Sequence, residues 1–411
     1  MKALVLCGGI PQIALMKELK SRGITVVLAD MNEKVGGRKY ADIFYPASVL
    51  DVEAIKEVAI KEKVDFLITV CADQVLEVVA QVSEMLSLPC YIDYKTAKNV
   101  SNKSYMKKIF VENGIPTSRH VVLTELQFDK ISHLEFPIIV KPVDSYSSRG
   151  VKKVFNNDEL KIAFDEAKTI SRTGGVVVEE FAEGEEVTVD IYVENGIAKL
   201  LTTSNSDKIN GAGFVIHRTR NPASISEDIK DKIKDTAQKI ADAFGLKNTP
   251  MLIQLITDGK KISVLEFCAR TGGGIKFRLI KRVSGFDVVN AVLDLTLGNK
   301  PHYEPTNDKQ QYIVNEFLYG DFGTFDHLEG FEELLEDGII SEYHQLKSQG
   351  AEIGEIKCSG DRIACFTIQT DSIDDLKKKH AEANKRIKAI SKDGKDLIRH
   401  DLVDNLKSKY I

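Results

Sequence analysis

Over its first ~95 residues the chain alternates short apolar runs with amphipathic stretches, and few folds accept that alternation. Ala3-Leu4-Val5-Leu6-Cys7 is apolar at every position, as a strand covered on both faces requires. Gly8-Gly9 follow; residues 13–22 then carry Ile13, Met16 and Leu19 at helical spacing, and Gly23 ends the run. Residues 25–29 and 66–70 repeat the strand pattern, with Asp30 at the tip of the former. Asp51 stands where it can cap a helix with Ile55, Val58 and Ala59 on one face, and residues 75–86 read as another helix. Repeated βα units predict a parallel, doubly wound sheet.

The pattern changes between Asn99 and about Leu297. Strands are expected at 136–141, 176–180, 187–193, 251–257 and 262–267, with hairpins closed at Glu194-Asn195-Gly196 and Asp258-Gly259. This is α+β organisation. Residues 299–310 are polar, contain Pro301 and Pro305, and read as a linker. The last ~100 residues suggest a small α+β unit with a strand at 363–369 and a Lys-rich amphipathic helix at 373–390, whose charges read as a solvated face. The expected fold class is α/β and α+β multidomain, with domains at 1–95, 96–300 and 301–411.

Composition removes several classes of function. Lys and Arg number 56 against 61 Asp and Glu, a net charge of −5, so no global basic field draws nucleic acid. No apolar run approaches the ~18 residues that span a bilayer. The 3–7 run is too short for the apolar core of a signal peptide. Six cysteines show no CxxC pair and no metal spacing, which predicts reduced thiols in a cytoplasmic protein.

Three segments carry chemistry. In the first, 136–151, an apolar strand delivers Lys141 at its end, and a loop of small residues, Ser145 to Ser148, closes at Gly150. Such a loop turns backbone N–H groups toward one point, which suits phosphate oxygens, and the lysine adds a point charge. Alone, the same residues equally describe a surface turn with a snorkelling lysine. In the second, 176–190, Glu179-Glu180-Phe181-Ala182 end one strand and Glu186 opens the next. These acids and the backbone beside them suit the edge of a base and ribose hydroxyls; alone they also describe a solvated acidic turn. In the third, pairing across Asp258-Gly259 puts Gln254 beside Glu266, two oxygen donors of the kind magnesium shares with phosphate. Arg270 follows Glu266 by four residues and suits a transferring phosphoryl group. Gly272-Gly273-Gly274 lets backbone approach a substrate. The bland alternatives there are a surface ion pair and a flexible loop.

Taken together, in this order and spacing, the segments resemble the ATP-grasp superfamily, and within it the L-amino acid ligases and related carboxylate–amine ligases. Glu-Phe-Cys-Ala-Arg-Thr-Gly-Gly-Gly is similar to their metal strand. The resemblance extends over nearly the whole chain and implies a Rossmann-like pre-ATP-grasp domain, an ATP-grasp domain with a lid at about 114–186, and a small C-terminal domain. It implies ATP and Mg²⁺ as cofactors, with Lys103, Lys141, Ser147, Ser148 and Gly150 on phosphates. By the same resemblance Glu179 faces the adenine amino group, the backbone of Glu180 and Ala182 with Phe181 lines the base, and Glu186 takes the ribose. Glu266 and Gln254 hold the metal, and Arg270 faces the phosphoryl group in flight. The implied reaction joins a small carboxylate to an amine through an acylphosphate, in an enzyme whose relatives are commonly homodimers. Cys268 stands where many relatives have Asn, and Gln254 where many have an acid, which bears on a second magnesium.

Substrate residues are read from chemistry alone. Arg218 suits a bidentate grip on a carboxylate and equally a surface role; His217 suits a base for the amine but reads more readily as an ordinary partly buried histidine; Thr69, Cys71, Asp73 and Gln74 lie at a strand end where a second substrate would bind, with core or cap roles equally open. Rival readings are another ATP-grasp enzyme (phosphoribosylglycinamide synthetase-like, carboxylase-like or a sugar-acid amide ligase), a nicotinamide dehydrogenase using Asp30, and a non-catalytic nucleotide-binding module. Against the dehydrogenase, Gly8-Gly9-Ile10-Pro11-Gln12 is not GxGxxG.

Overall fold

The computed structural model describes residues 1–145, 149–209, 214–305, 311–403 and 406. The chain opens with β1 (Lys2–Leu6), α1 (Ile10–Ser21), β2 (Thr25–Ala29), β3 (Ile43–Tyr45), α2 (Val52–Glu62), β4 (Phe66–Ile68) and α3 (Asp73–Leu86). The strands form a parallel sheet in the order β3-β2-β1-β4. β1 is buried on both faces, Ala3 and Val5 in one cluster and Leu4 and Leu6 in another, which explains its unbroken apolar run. Asp51 caps α2 by accepting from the Ala54 amide at 3.1 Å.

Two helices, α4 (Tyr94–Ser101) and α5 (Lys103–Glu112), lead to a four-stranded antiparallel sheet. Its elements are β5 (His120–Leu123), α6 (Phe128–Ile131), β6 (Ile138–Pro142), β7 (Lys152–Val154), α7 (Asn157–Ile170) and β8 (Val176–Glu180), with strand order β5-β8-β6-β7. This small sheet lies within the range expected for a lid.

The chain continues through β9 (Glu185–Glu194), β10 (Ile197–Lys208), β11 (Ile216–Asn221), α8 (Glu227–Ala243), β12 (Thr249–Thr257), β13 (Ile262–Cys268), α9 (Lys276–Ser284) and α10 (Val288–Thr296). Both expected hairpins form, the β9–β10 turn with Asn195 and Gly196 at positive φ. The remaining elements are β14 (Tyr312–Leu318), β15 (Gly323–Glu329), α11 (Phe331–Glu336), β16 (Glu342–Gln345), β17 (Glu352–Ile353), β18 (Ala364–Thr370), α12 (Ile373–Arg386), β19 (Lys388–Ser391) and α13 (His400–Val403). The helix expected to reach 390 therefore stops at Arg386; the segment after it pairs with β15 as an edge strand. An eight-stranded sheet runs β13-β12-β9-β10-β11-β14-β18-β16, crossing the expected boundary at residue 300 without a break.

Strand alternation divides that sheet into a core face and a site face. Val187, Val189, Ile191, Met251, Ile253 and Leu255 point into an apolar cluster under α8. Their neighbours Glu186, Thr188, Leu252, Gln254 and Ile256 line a cleft on the other side. On the first sheet, Val5 and Val26 share a cluster with Phe277, Ile280 and Val292 of α9 and α10, which holds that sheet against the cleft. Among the described residues no helix is long and apolar enough to cross a membrane, and all six cysteines are free thiols.

Candidate active site

The cleft has a volume of about 650 Å³, a size that accommodates a nucleotide-scale ligand. It is lined by the end of β4 with the start of α3, the α4–α5 junction, the lid sheet, the site face of the large sheet and the segment 272–276. Lys103, Lys141, Glu179, Glu180, Phe181, Ala182, Glu186, Gln254, Glu266 and Arg270 all reach it, from segments separated by up to 167 positions.

Period-two alternation aims the lid residues. Ile138 and Val140 enter the lid core, so Ile139 and Lys141 face the cleft. Val176 and Val178 likewise enter that core, which turns Glu179 inward. The Glu179 carboxylate is wedged between Lys141 and Lys107, with Lys107 Nζ at 2.7 Å. Its side chain is 3% exposed, and those of Lys107 and Lys141 are 1% and 8%. Burial raises the carboxyl pKa, but the two ammoniums outweigh it and hold it down to about 2. Burial also depresses Lys107, to about 8, against the opposing pull of Glu179. Both Glu179 oxygens are paired with lysines at the wall of the cleft.

Glu180 lines the cleft, and its carboxylate accepts from Arg119 Nε at 2.8 Å and from the Glu135 amide at 3.0 Å. The Glu180 and Phe181 amides donate to the Arg119 and Pro137 carbonyls at 3.0 and 3.1 Å. The ring of Phe181 is covered by Lys153 Nζ, 3.5 Å from its centroid. Ser147 and Ser148 lie outside the described residues. Gly150 does not line the cleft: at φ +76°, a Cβ there would come within 2.8 Å of Ile170, and Arg149 and Val151 on either side reach the cleft instead. Its part is to make the turn.

On the large sheet Gln254 and Glu266 are directly opposed in the β12–β13 register. Gln254 Nε2 donates to Glu186 Oε1 at 3.2 Å, which directs the amide oxygen away from that carboxylate. Glu266 Oε2 meets Lys103 Nζ at 3.1 Å, and the same ammonium donates to the Ser145 carbonyl at 2.7 Å. Lys103 thus bridges the large sheet and the lid loop. Two side-chain oxygens on neighbouring strands suit magnesium, which completes its shell with phosphate and water oxygens. Among the described residues no group of three or more His, Cys, Asp or Glu forms a self-sufficient metal cluster. Arg270 lines the cleft while forming a two-pronged ion pair with Asp73. Cys268 also lines the cleft, its thiol pKa pushed well up by burial and the nearby Asp73, a protonated state ill-suited to a hard cation.

Several substrate expectations are overturned. Arg218 does not grip a ligand: it is fully buried behind the sheet, paired with Glu316 and donating to the Val403 carbonyl at 2.7 Å. Thr219, its neighbour on β11, lines the cleft instead. His217 is buried and does not line the cleft, the position of an ordinary buried histidine and not of a base for the amine. Thr69 donates its hydroxyl to the Leu6 carbonyl at 3.0 Å and does not reach the cleft, whereas Cys71, Asp73 and Gln74 do. Asp30 accepts the Gly8 amide at 2.9 Å, and Gly37 donates to the Gly8 carbonyl at 2.9 Å, so the space over the first glycine turn is filled by protein. That packing removes the basis for a dinucleotide reading.

Sequence reasoning missed three charged residues: Lys107, buried outside the cleft lining, and Lys276 and Arg362, which line it. Lys107 lies four positions after Lys103, on the same face of α5, a spacing that signals it. Lys276 meets Asp190 at 3.1 Å and donates to Ser204 at 2.9 Å. Arg362 stacks 3.7 Å from the Phe317 ring centroid and donates to the Tyr319 hydroxyl and the Ile216 carbonyl at 3.0 and 3.1 Å. Among the described residues it has no carboxylate partner. No local motif announces Lys276 or Arg362.

Residues 134–278 match the model of the ATP-grasp domain family. A formate-dependent phosphoribosylglycinamide formyltransferase of Actinobacillus pleuropneumoniae is 24% identical over 330 residues, 75% of this chain and 79% of that protein. Human mitochondrial carbamoyl-phosphate synthase is 26% identical over 179 residues, 42% of this chain; the chain spans only 11% of that protein's length. An L-amino acid ligase from Bacillus licheniformis superposes with a TM-score of 0.81 at 20% identity, covering 95% of this chain and 98% of its own. The biotin carboxylase domain of a Hydrogenobacter thermophilus 2-oxoglutarate carboxylase, solved with MgADP and bicarbonate, gives 0.79 at 16% identity, covering 99% and 93%.

Proposed function

Since this chain carries an ATP-grasp domain within a fold shared along nearly its whole length, we propose that it is an ATP-dependent ligase that joins a small carboxylate to an amine. The observation that carries this reading is the convergence of Lys103, Lys141, Gln254, Glu266 and Arg270 on one cleft between a lid and a sheet. In the proposed reaction a carboxylate oxygen attacks the γ-phosphorus of ATP, the bond to the β–γ bridging oxygen breaks, and ADP leaves an acylphosphate. The amine nitrogen then attacks the acyl carbon, phosphate departs, and the nitrogen loses a proton to give the amide.

Lys141 and Lys103 bind phosphate oxygens in this reading, and Arg270 offsets charge on the transferring group. The Ala182 amide, the first after β8 that donates to no carbonyl among the described residues, reads the base edge. Glu266 and Gln254 would hold Mg²⁺, which when bound neutralises phosphate charge. Lys276 and Arg362 face the cleft beyond these groups and suit the anionic end of a substrate. The lid sheet excludes water from the acylphosphate. Release of phosphate from MgATP, measured over pairs of amino acids with formate, bicarbonate and a sugar acid as further acids, tests the reading. Glu266→Gln is expected to lower turnover by about 10²-fold or more. A wild-type protein that releases no phosphate with any pair would refute the proposal.

A further inference from the structure

Two adjacent side chains of the first sheet domain hold both halves of the cleft. Asp73 Oδ1 and Oδ2 accept from Nε and Nη2 of Arg270, and Arg270 Nη1 donates to the Thr271 carbonyl at 2.7 Å. All three guanidinium nitrogens are engaged, and the two-pronged pair fixes the plane as well as the position of the group. The Arg270 side chain is 13% exposed, so this is not a loose surface pair. The next residue, Gln74, donates from Nε2 to the Asp144 carbonyl of the lid at 3.0 Å. The Asp144 carboxylate accepts the Arg172 and Thr173 amides at 3.2 and 3.0 Å and the Thr173 hydroxyl at 3.1 Å. Gln74 thus grips a turn that is itself tied to the segment leading into β8.

We propose that Asp73 and Gln74 form a positioning latch: Asp73 sets the guanidinium of Arg270 at the γ-phosphate, and Gln74 sets the lid at the matching height above it. The inference rests on the ligase reading for its chemical role. Neither residue touches reacting atoms; both act through others. The first domain is then part of the catalytic apparatus, since the residue that acts on phosphate has its orientation dictated by a side chain 197 positions away.

The test uses the full chain, MgATP and the substrate panel above. Asp73→Asn keeps the size of the side chain but loses the paired charge; it is expected to lower kcat by about 10²-fold, the usual effect of misplacing a catalytic group. The KM for ATP is expected to stay within about twofold of wild type, and Asp73→Glu to restore kcat at least about tenfold over Asp73→Asn. Gln74→Ala is expected to speed amide hydrogen exchange at Val143, Arg172 and Thr173, and Asp73→Asn to do so at Thr271 to Gly274. An Asp73→Asn enzyme that keeps its kcat, or whose loss appears as a raised KM for ATP, overturns the first half. Unchanged exchange in Gln74→Ala overturns the second. If the wild type releases no phosphate, the ligase reading falls while the exchange measurements still decide whether the latch exists.

Discussion

Replacing Glu179 by Gln should cost about 3 kcal/mol of stability at pH 7, and the magnitude follows from the buried triad. Lys107 and Lys141 hold the carboxyl at about 2, against an ordinary 4.5. At about 1.36 kcal/mol per pH unit, that difference is worth about 3 kcal/mol. The figure sits at the lower end of the roughly 3–5 kcal/mol lost when one member of a buried ion pair is removed. It belongs there because Lys107, already depressed to about 8, can shed its proton and relieve part of the uncompensated charge. The pH dependence has a definite sign. A carboxyl with a depressed folded pKa contributes its full stability above 4.5 and loses it as pH falls toward 2. The variant should therefore lack this part of the acid limb. Because the chain has no tryptophan, urea titrations followed by far-ultraviolet circular dichroism are the assay of choice. With a slope of about 2 kcal/mol per molar, the midpoint should fall by about 1.5 M. A variant within about 1 kcal/mol of wild type at pH 7, or one with the same acid limb, would refute the reasoning.

Three further outcomes follow from individual contacts. Lys107 has a folded pKa below its ordinary 10.5, so wild-type stability should rise as pH climbs from about 8, and Lys107→Met should lose that rise in paired denaturation curves. Arg218→Met breaks the buried pair with Glu316 and should cost about 3–5 kcal/mol, while phosphate release per folded molecule stays within about twofold; a selective loss of turnover would return Arg218 to the site. Gly184→Ala should lower stability by at least about 2 kcal/mol, seen in thermal melts. The residue sits at φ +133°, and its Cβ would fall 2.1 Å from the Thr257 carbonyl oxygen, between the lid and the β12–β13 turn.

The self-pairing of the cleft bears on how it would work. Lys141 is held by Glu179, Lys103 by Glu266 and Arg270 by Asp73. Each cation that would meet a phosphate is kept in place by an acid. Positioning is thereby prepared before a ligand arrives, at the expense of having to share or exchange those partners when it does.

The amino-acid order alone determined the local elements and the faces they present. β2 and β8 occupy the very residues that apolar patterning indicates, and the Gln254–Glu266 pairing follows from the turn at Asp258-Gly259. These are short-range features, written in periods of two and 3.6 residues. β3 went unread because its apolar run is only Ile43-Phe44-Tyr45 between Asp42 and Pro46, whereas β4 sits in the longer run 66–70. Which charged side chain faces the cleft and which is sealed in the scaffold was decided by tertiary structure. Arg218 and Arg362 look alike in one dimension. The first meets Glu316, 98 positions along the chain, and is sealed behind the sheet; the second meets an aromatic ring and a hydroxyl and faces the cleft. A charge takes its role from the neighbours within a few ångströms, and folding supplies those neighbours from anywhere in the sequence.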